Sequence, residues 1–407
     1  MAINKPEVIE RNIENIPFFG RYDDLYALEG TPVEDEMFSF IKKQLALDVQ
    51  CETPSLLAKW LKSENTSSKE SRRLGGKTRV ALGMNHKEYR KTLSILRERI
   101  NIVERLMSEG RWDEIQYDKI PSKAGLIYKN AFAKHDYDRY KVFSESKETK
   151  VNAATLNPVD IAGQIFQYGG WYGKNASDID RAMWQKYWDN LKDYYNGREE
   201  RGIAVVDVSG SMSGTPMNAA VSMGAYIAER GKGPFANHFI TFSSHPELVK
   251  FEGVDIYDKF QRAIKANWGG NTNIEATFDL LLKTAIDNKC TQEEIPETVY
   301  VFSDMEFDYC VTDNKSRSSF LSGGISLNKA ETLFDTMRRR WADHGYKMPR
   351  LIFWNLDARQ NNIPAIGDSI SYVSGFSMAA LEGVLSGKDG YDMMMEILNK
   401  EKYLVIK

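Results

Sequence analysis

Three stretches of this 407-residue chain carry oxygen ligands at spacings that suit a hard cation. The first is Asp207-x-Ser209-x-Ser211, directly after the apolar run Ile203 to Val206. That run reads as a buried strand, and Gly210 and Gly214 let the backbone turn where it stops. Oxygens at every second position, followed by a helix, are what a hard divalent cation needs. The second stretch is Gly269-Gly270-Asn271-Thr272-Asn273, a glycine-rich loop ahead of a helix, where Thr272 offers a hydroxyl. The third is Asp304, which ends the apolar run Thr298–Ser303. Three hydroxyls and two carboxylates from three loops can surround one octahedral ion, Mg2+ or Mn2+. On this reading Ser209, Ser211 and Thr272 bind directly, and Asp207 and Asp304 act partly through water. One position stays open, and an acidic side chain of a partner would fill it. Taken alone, Asp207-x-Ser209-x-Ser211 reads equally as a turn after a strand. The Gly-Gly-Asn-Thr loop and the strand-end Asp304, in this order, favour the ion.

The surrounding pattern can position such a site. From about Asn196 onward, apolar strands alternate with amphipathic helices. Strands are expected at Ile203–Val208, His238–Phe242, Glu247–Phe251, Thr298–Ser303, Leu351–Leu356 and Ser371–Val373. Helices are expected at Pro216–Arg230, Tyr257–Lys265, Ile274–Asn288, Leu327–His344, Met378–Leu385 and Tyr391–Lys400. This alternation implies an α/β doubly wound, mostly parallel sheet of Rossmann-like type over residues 197–407. Sites in such sheets lie beyond the carboxyl ends of the strands, where Asp207 and Asp304 fall.

These residues resemble a von Willebrand factor A (vWA) domain. Asp207, Ser209, Ser211, Thr272 and Asp304 match its metal-ion-dependent adhesion site (MIDAS). The resemblance implies Mg2+ or Mn2+ at the site and an open coordination position that takes protein ligands. Asn271 separates the glycine pair from Thr272, where many members are one residue shorter. Glu306 and Asp308 follow closely on Asp304. They either cap the ion from within the chain or are solvated loop acids.

Residues 1–196 read as successive short helices with no alternating strand pattern, which suggests a helical-repeat, HEAT-like packing. The expected segments include a helix opening at Thr31-Pro32 and burying Met37, Phe38, Ile41, Leu45 and Val49. A short helix from Pro54 would place Leu56, Leu57, Trp60 and Leu61 on one face. Ser63 to Ser71 reads as a polar loop, and Arg72 to Gly83 as basic and glycine-containing. A long amphipathic helix would run from Lys87 past Met107 to Gly110. Four further segments are expected at Pro121–Lys134, Asp136–Ser146, Pro158–Phe166 and Ile179–Tyr195.

Residues 54–65, 88–107 and 120–135 resemble the DUF2828 type, in which a helical region precedes a C-terminal A domain. Phe18-Phe19-Gly20-Arg21-Tyr22-Asp23-Asp24-Leu25 is similar to the opening of the TROVE module of the Ro autoantigen family. That resemblance implies a ring of helical repeats closed by the A domain, binding small structured RNAs. Residues 59–105 support it in charge, with 13 Lys and Arg against 5 Asp and Glu. Arg72, Arg73, Lys77, Arg79, Lys87, Arg90, Lys91 and Arg97 could neutralise phosphates, and His86 and Tyr89 could stack on bases. Glu88, Glu98 and Glu104 on the same segment favour the alternative, a solvated helix face with internal ion pairs.

Other signals carry less. Leu74-Gly-Gly-Lys-Thr78 is not a phosphate-binding loop, because Ser71 stands where a glycine is required and no apolar strand precedes it. Asp207 and Ser211 flank Ser209 where a nucleophile elbow needs glycines. The five histidines show no metal or triad spacing. The aromatic cluster of Phe166 to Tyr172 with Trp184, Tyr187 and Trp188 reads as packing where the two halves join. Cys51, Cys290 and Cys310 are too scattered for a disulfide framework or a zinc site. Length suggests roughly two or three domains. The net charge of -3 names no partner. The residues after Met1 show no apolar signal core and no run spans a bilayer, so a soluble, cytoplasmic protein is expected. The expectation is a non-enzymatic binding protein of two parts, a helical-repeat domain over 1–196 and an A domain over 197–407. It is either a ring that binds structured RNA or an assembly component whose metal grips an acidic residue of a protein partner.

Overall fold

A computed structural model describes residues 5–406, apart from 101, 170–175, 244, 267–272, 306–326, 358–369 and 386–389. The chain divides into two compact units, residues 1–115 with 389–407, and residues 116–388.

The first unit is helical. It contains α1 (Pro6–Asn12), α2 (Ile16–Phe19), α3 (Glu34–Gln50), α4 (Leu57–Trp60), α5 (Lys69–Ala81), α6 (His86–Ile100) and α7 (Val103–Glu109). The apolar stripe of α3 buries Met37, Phe38, Ile41 and Leu45 against Leu57, Leu61, Leu93 and Leu96. Glu34, Asp35 and Glu36 place negative charge in its first turn, where the helix dipole favours it. The helix begins at Glu34, not at Pro32. Thr31 instead closes the preceding turn by donating its hydroxyl to the Leu28 carbonyl at 2.6 Å. Val49 and Leu56 lie outside the stripe and are exposed.

The expected loop Ser63–Ser71 is irregular as far as Ser68, and α5 replaces its last three residues, capped by the Ser68 hydroxyl accepting from the Ser71 amide at 3.2 Å. Its inner glycine meets backbone: a Cβ at Gly75 would stand 2.8 Å from the Lys62 carbonyl oxygen. The expected long helix from Lys87 is two, α6 and α7. Gly110 ends α7 in the left-handed conformation (φ 73°), as the pattern implied.

The second unit holds a six-stranded mixed sheet with helices. Helices α8 (Ser122–His135), α9 (Tyr137–Glu145), α10 (Pro158–Gly169) and α11 (Asp178–Asp189) precede it. The strands are β1 (Gly202–Val206), β2 (His238–Thr241), β3 (Leu248–Lys250), β4 (Thr298–Ser303), β5 (Arg350–Asn355) and β6 (Ile370–Ser374). Their order is β3-β2-β1-β4-β5-β6, parallel except for β3 on β2. Helices α12 (Thr215–Arg230), α13 (Ile256–Ile264), α14 (Ile274–Asp287), α15 (Leu327–Asp343) and α16 (Ala379–Leu385) complete the unit, and α17 (Gly390–Leu398) returns to the first.

One face of the sheet buries Ile203, Val205, Val301 and Phe353 against Phe278 and Trp341. On the other, α12 comes so close that a Cβ on Gly224 would stand 2.5 Å from Val206. The border of the units does not follow the change of pattern at residue 196. Helix α11 packs its Trp184 on Tyr257 (centroids 5.8 Å apart) and Arg181 binds Asp255 at 2.7 Å, so α11 shares a core with α13. Among the described residues, no helix is long and apolar enough to cross a membrane.

Candidate metal centre

The two central strands bring the acidic positions together. Val206 of β1 pairs with Phe302 of β4. The pairing continues one step further, where the Asp207 amide donates to the Phe302 carbonyl at 3.0 Å. Asp207 is fully buried and Asp304 is 2% exposed, just past the carboxyl ends of adjacent parallel strands. Asp207 is held by both oxygens. Its Oδ1 accepts from the Ser209 amide at 2.8 Å, and its Oδ2 accepts from the Ser303 hydroxyl at 2.8 Å.

The loop then turns through a short 3-10 segment, Gly210–Met212, pinned by the buried Met212. The turn brings the Ser209 and Ser211 hydroxyl oxygens to 3.1 Å of each other. Gly214 at φ 94° opens α12 in a conformation side chains disfavour. Met305 also adopts a positive φ, 66°, although it is not glycine. Its amide donates to the Ser303 hydroxyl at 3.1 Å, so one serine holds both Asp207 and the turn that carries Asp304. Strained backbone of this kind persists where the surroundings over-determine it.

Burial raises the Asp207 carboxyl above the usual aspartate range. The hydrogen bonds from Ser209 and Ser303 oppose this, and the charge of Asp304 adds to it. Two carboxylates sealed from water beside two hydroxyls form an all-oxygen donor set of low charge, and this fits a hard dication. Among the described residues, no three His, Cys, Asp or Glu side chains gather, so such an ion would depend on hydroxyls as well as acids. Thr272 lies outside the described residues, as do Glu306 and Asp308. Asn273, next to Thr272, caps α14 by accepting from the Ala276 amide at 3.0 Å. Ser303 was not singled out by sequence. Its signal was available in its place just before Asp304 on a strand neighbouring β1.

The basic segment divides into engaged and exposed cations. Arg73 binds Glu29 and Glu70 at 2.8 and 2.7 Å. Lys77 binds Glu29 and Glu34 at 2.7 and 2.6 Å. Arg79 binds Glu64 and the Met84 carbonyl, both at 2.9 Å. Arg97 does not face a ligand. Its guanidinium donates to the Ala58 and Leu61 carbonyls at 2.8 and 2.9 Å, and burial lowers its pKa. Tyr89 is no stacking platform, because its ring is buried and its hydroxyl donates to the Lys62 carbonyl at 2.9 Å. His86 stays exposed but faces Glu64 at 2.9 Å. Arg72, Lys87, Arg90 and Lys91 are exposed. The Leu74 to Thr78 stretch lies inside α5 and forms no phosphate loop.

Over 373 residues the chain is 30% identical to the uncharacterized protein L728 of Acanthamoeba polyphaga mimivirus, covering 86% of this chain and 61% of L728. The chain thus spans about three fifths of the length of that curated relative. Among solved structures, the Ro (RSR) protein of Deinococcus radiodurans aligns at 14% identity over 85% of this chain and 62% of its own, with a TM-score of 0.39. Proximal thread matrix protein 1 from the mussel byssus aligns at 12% over 46% of this chain and 47% of its own, with a TM-score of 0.26. Residues 201–403 match the family model of a domain of unknown function, DUF7788. Residues 47–199 match that of another, DUF2828, so the chain joins a DUF2828-like region to a DUF7788-like one.

Proposed function

We propose that the sheet-bearing unit is a cation-dependent binding module of the von Willebrand factor A type. Ser209, Ser211, Asp207 and Asp304, with Thr272, would hold Mg2+ or Mn2+. The ion would supply an electrophilic position for a carboxylate of a protein partner. One observation carries this reading: Asp207 and Asp304 are buried on adjacent strand ends beside two hydroxyls 3.1 Å apart. On this reading the all-oxygen donor set serves binding rather than catalysis.

Titration calorimetry of the EDTA-dialysed chain with MgCl2 tests the ion. A saturable heat is expected for wild type and none for Asp304→Ala. A ligand at 100 times its Kd stabilises by about 2.7 kcal/mol, so a matching rise in Tm is also expected. No heat and no rise in Tm with either Mg2+ or Mn2+ would sink the proposal.

A second reading keeps RNA as the ligand of a Ro-like ring. It is favoured by Arg72, Lys87, Arg90 and Lys91, which are exposed and make no ion pair with another described residue. Lys87, Arg90 and Lys91 share one face of α6 through their spacing. If these four contact phosphates, log affinity for a structured RNA should fall with log salt at a slope of roughly -3 to -4. A salt-independent affinity, or none at low salt, excludes it.

A further inference from the structure

A cavity of about 770 Å3 opens in the second unit, walled by α10, the start of α12 and the segment after β6. Helix α12 opens with Thr215, which lines the cavity, and it stands only four positions after Ser211, so chain length holds this wall within about 15 Å of the Asp207 loop. Helix α10 turns two different faces. Ile161, Ala162 and Ile165 are fully buried in the core. Val159, Gly163, Phe166 and Gln167, at helical spacing, line the cavity. Gly163 is the floor: a Cβ built there meets nothing within 4 Å. Glycine is a poor helix former, and here its missing side chain leaves the space open. The opposite wall is fastened in place, because the Asn157 side-chain oxygen accepts from the Met378 amide at 3.3 Å.

The lining has a definite chemistry. Phe166 and Phe376 offer apolar ring faces, and Phe166 is braced edge-on against the buried Phe260 (centroids 5.5 Å apart). Gln167, Asn218 and Thr215 add donors and acceptors. Lys123 and Asp160, 4.0 Å apart, offset each other's charge. A polyanion such as RNA gains from net positive lining, and among the described lining residues Lys123 is offset by Asp160. Amides and a hydroxyl beside aromatic faces instead suit the N–H and C=O groups and apolar side chains of an extended peptide. The volume falls in the range of small-ligand pockets.

We infer that this cavity holds the residues flanking the acidic side chain gripped at the Asp207 site. The ligand is then a short peptide segment of a protein partner, carrying one Asp or Glu next to an apolar residue. The inference rests on the proposed cation-dependent reading of that site.

The probe is a phage-displayed library of random dodecapeptides with a fixed central Asp, panned on the full chain in Mg2+. Selected peptides should bind the Gly163→Trp chain at least tenfold more weakly than wild type, although its thermal melt is unchanged. Phe376→Ala should weaken them in parallel, and EDTA should release them. Peptides released by EDTA but indifferent to both cavity substitutions overturn the cavity and leave the cation site standing. Peptides sensitive to Gly163→Trp but indifferent to EDTA overturn the cation reading and with it the coupling inferred. Failure to select any peptide, or Gly163→Trp-sensitive binding of a twelve-nucleotide oligouridylate, also defeats the inference.

Discussion

Glu29 shows how one residue changes the reading of a whole segment. Its carboxylate accepts from Arg73 and Lys77, and those hydrogen bonds hold its pKa down to about 2. Because the folded value lies below the ordinary one, the native chain binds fewer protons here than the unfolded chain. The stabilisation is therefore present at neutral pH and is lost as pH falls from the usual glutamate range toward about 2. Glu29→Gln should flatten that part of the acid melting profile relative to wild type. The same substitution leaves Arg73 with Glu70 and Lys77 with Glu34 as remaining partners but removes one negative charge from beside both, so if RNA is the ligand, affinity for a structured RNA should rise at low salt in a filter-binding assay. Unchanged affinity would show that the Glu29 charge does not oppose RNA at this face. A count of charges along residues 59–105 could not reveal this, because the neutralising acids Glu29 and Glu34 lie on an earlier helix and its leader. Asp207, Ser209, Ser211 and Asp304 were legible because each sits next to an apolar run whose end is visible in the sequence. Ser303 was not, because its role depends on which strand lies beside β4.

Among elements, α5 is the instructive failure. Arg72 to Gly83 reads only as basic and glycine-containing, with no helix expected, yet the helix runs through both adjacent glycines, Gly75 and Gly76. The pair splits by environment. A Cβ on Gly75 would strike the backbone of Lys62 and Ser63, at 2.8 and 2.9 Å, whereas one on Gly76 meets only the Glu64 side chain at 3.4 Å. Gly75→Ala should therefore destabilise by about 1–3 kcal/mol through overpacking, despite better helix propensity. Gly76→Ala should stabilise by about 0.5–1 kcal/mol, the ordinary gain from replacing a helical glycine. Chemical denaturation of both variants measures the contrast, and equal effects would refute the close approach of α5 to the segment at Lys62. Strands were far more legible than this helix. β1, β4 and β5 are buried on both faces and so appear as unbroken apolar runs. The sheet edge was less so, because nothing in residues 248–250 announces that β3 runs antiparallel.

At the scale of the molecule, the change of pattern near residue 196 marks where strands begin, not where a compact body begins. Trp184 and Trp188 are fully buried, the first against Tyr257 and the second edge-on to Tyr226 and Phe260. A fragment starting at residue 197 would expose those partners, whereas one spanning 116–388 would keep them covered. The longer fragment should melt cooperatively by circular dichroism, and the shorter one should aggregate or melt at least 10 °C lower. The order of strands has a further consequence in time. Asp207 and Ser303 are 96 positions apart in the chain and meet only when β1 pairs with β4. Pairings between such distant segments form slowly, and an unfolded chain offers a cation no assembled site. Magnesium should therefore act as a brake on opening: it should slow unfolding in stopped-flow denaturant jumps while leaving the refolding rate nearly unchanged.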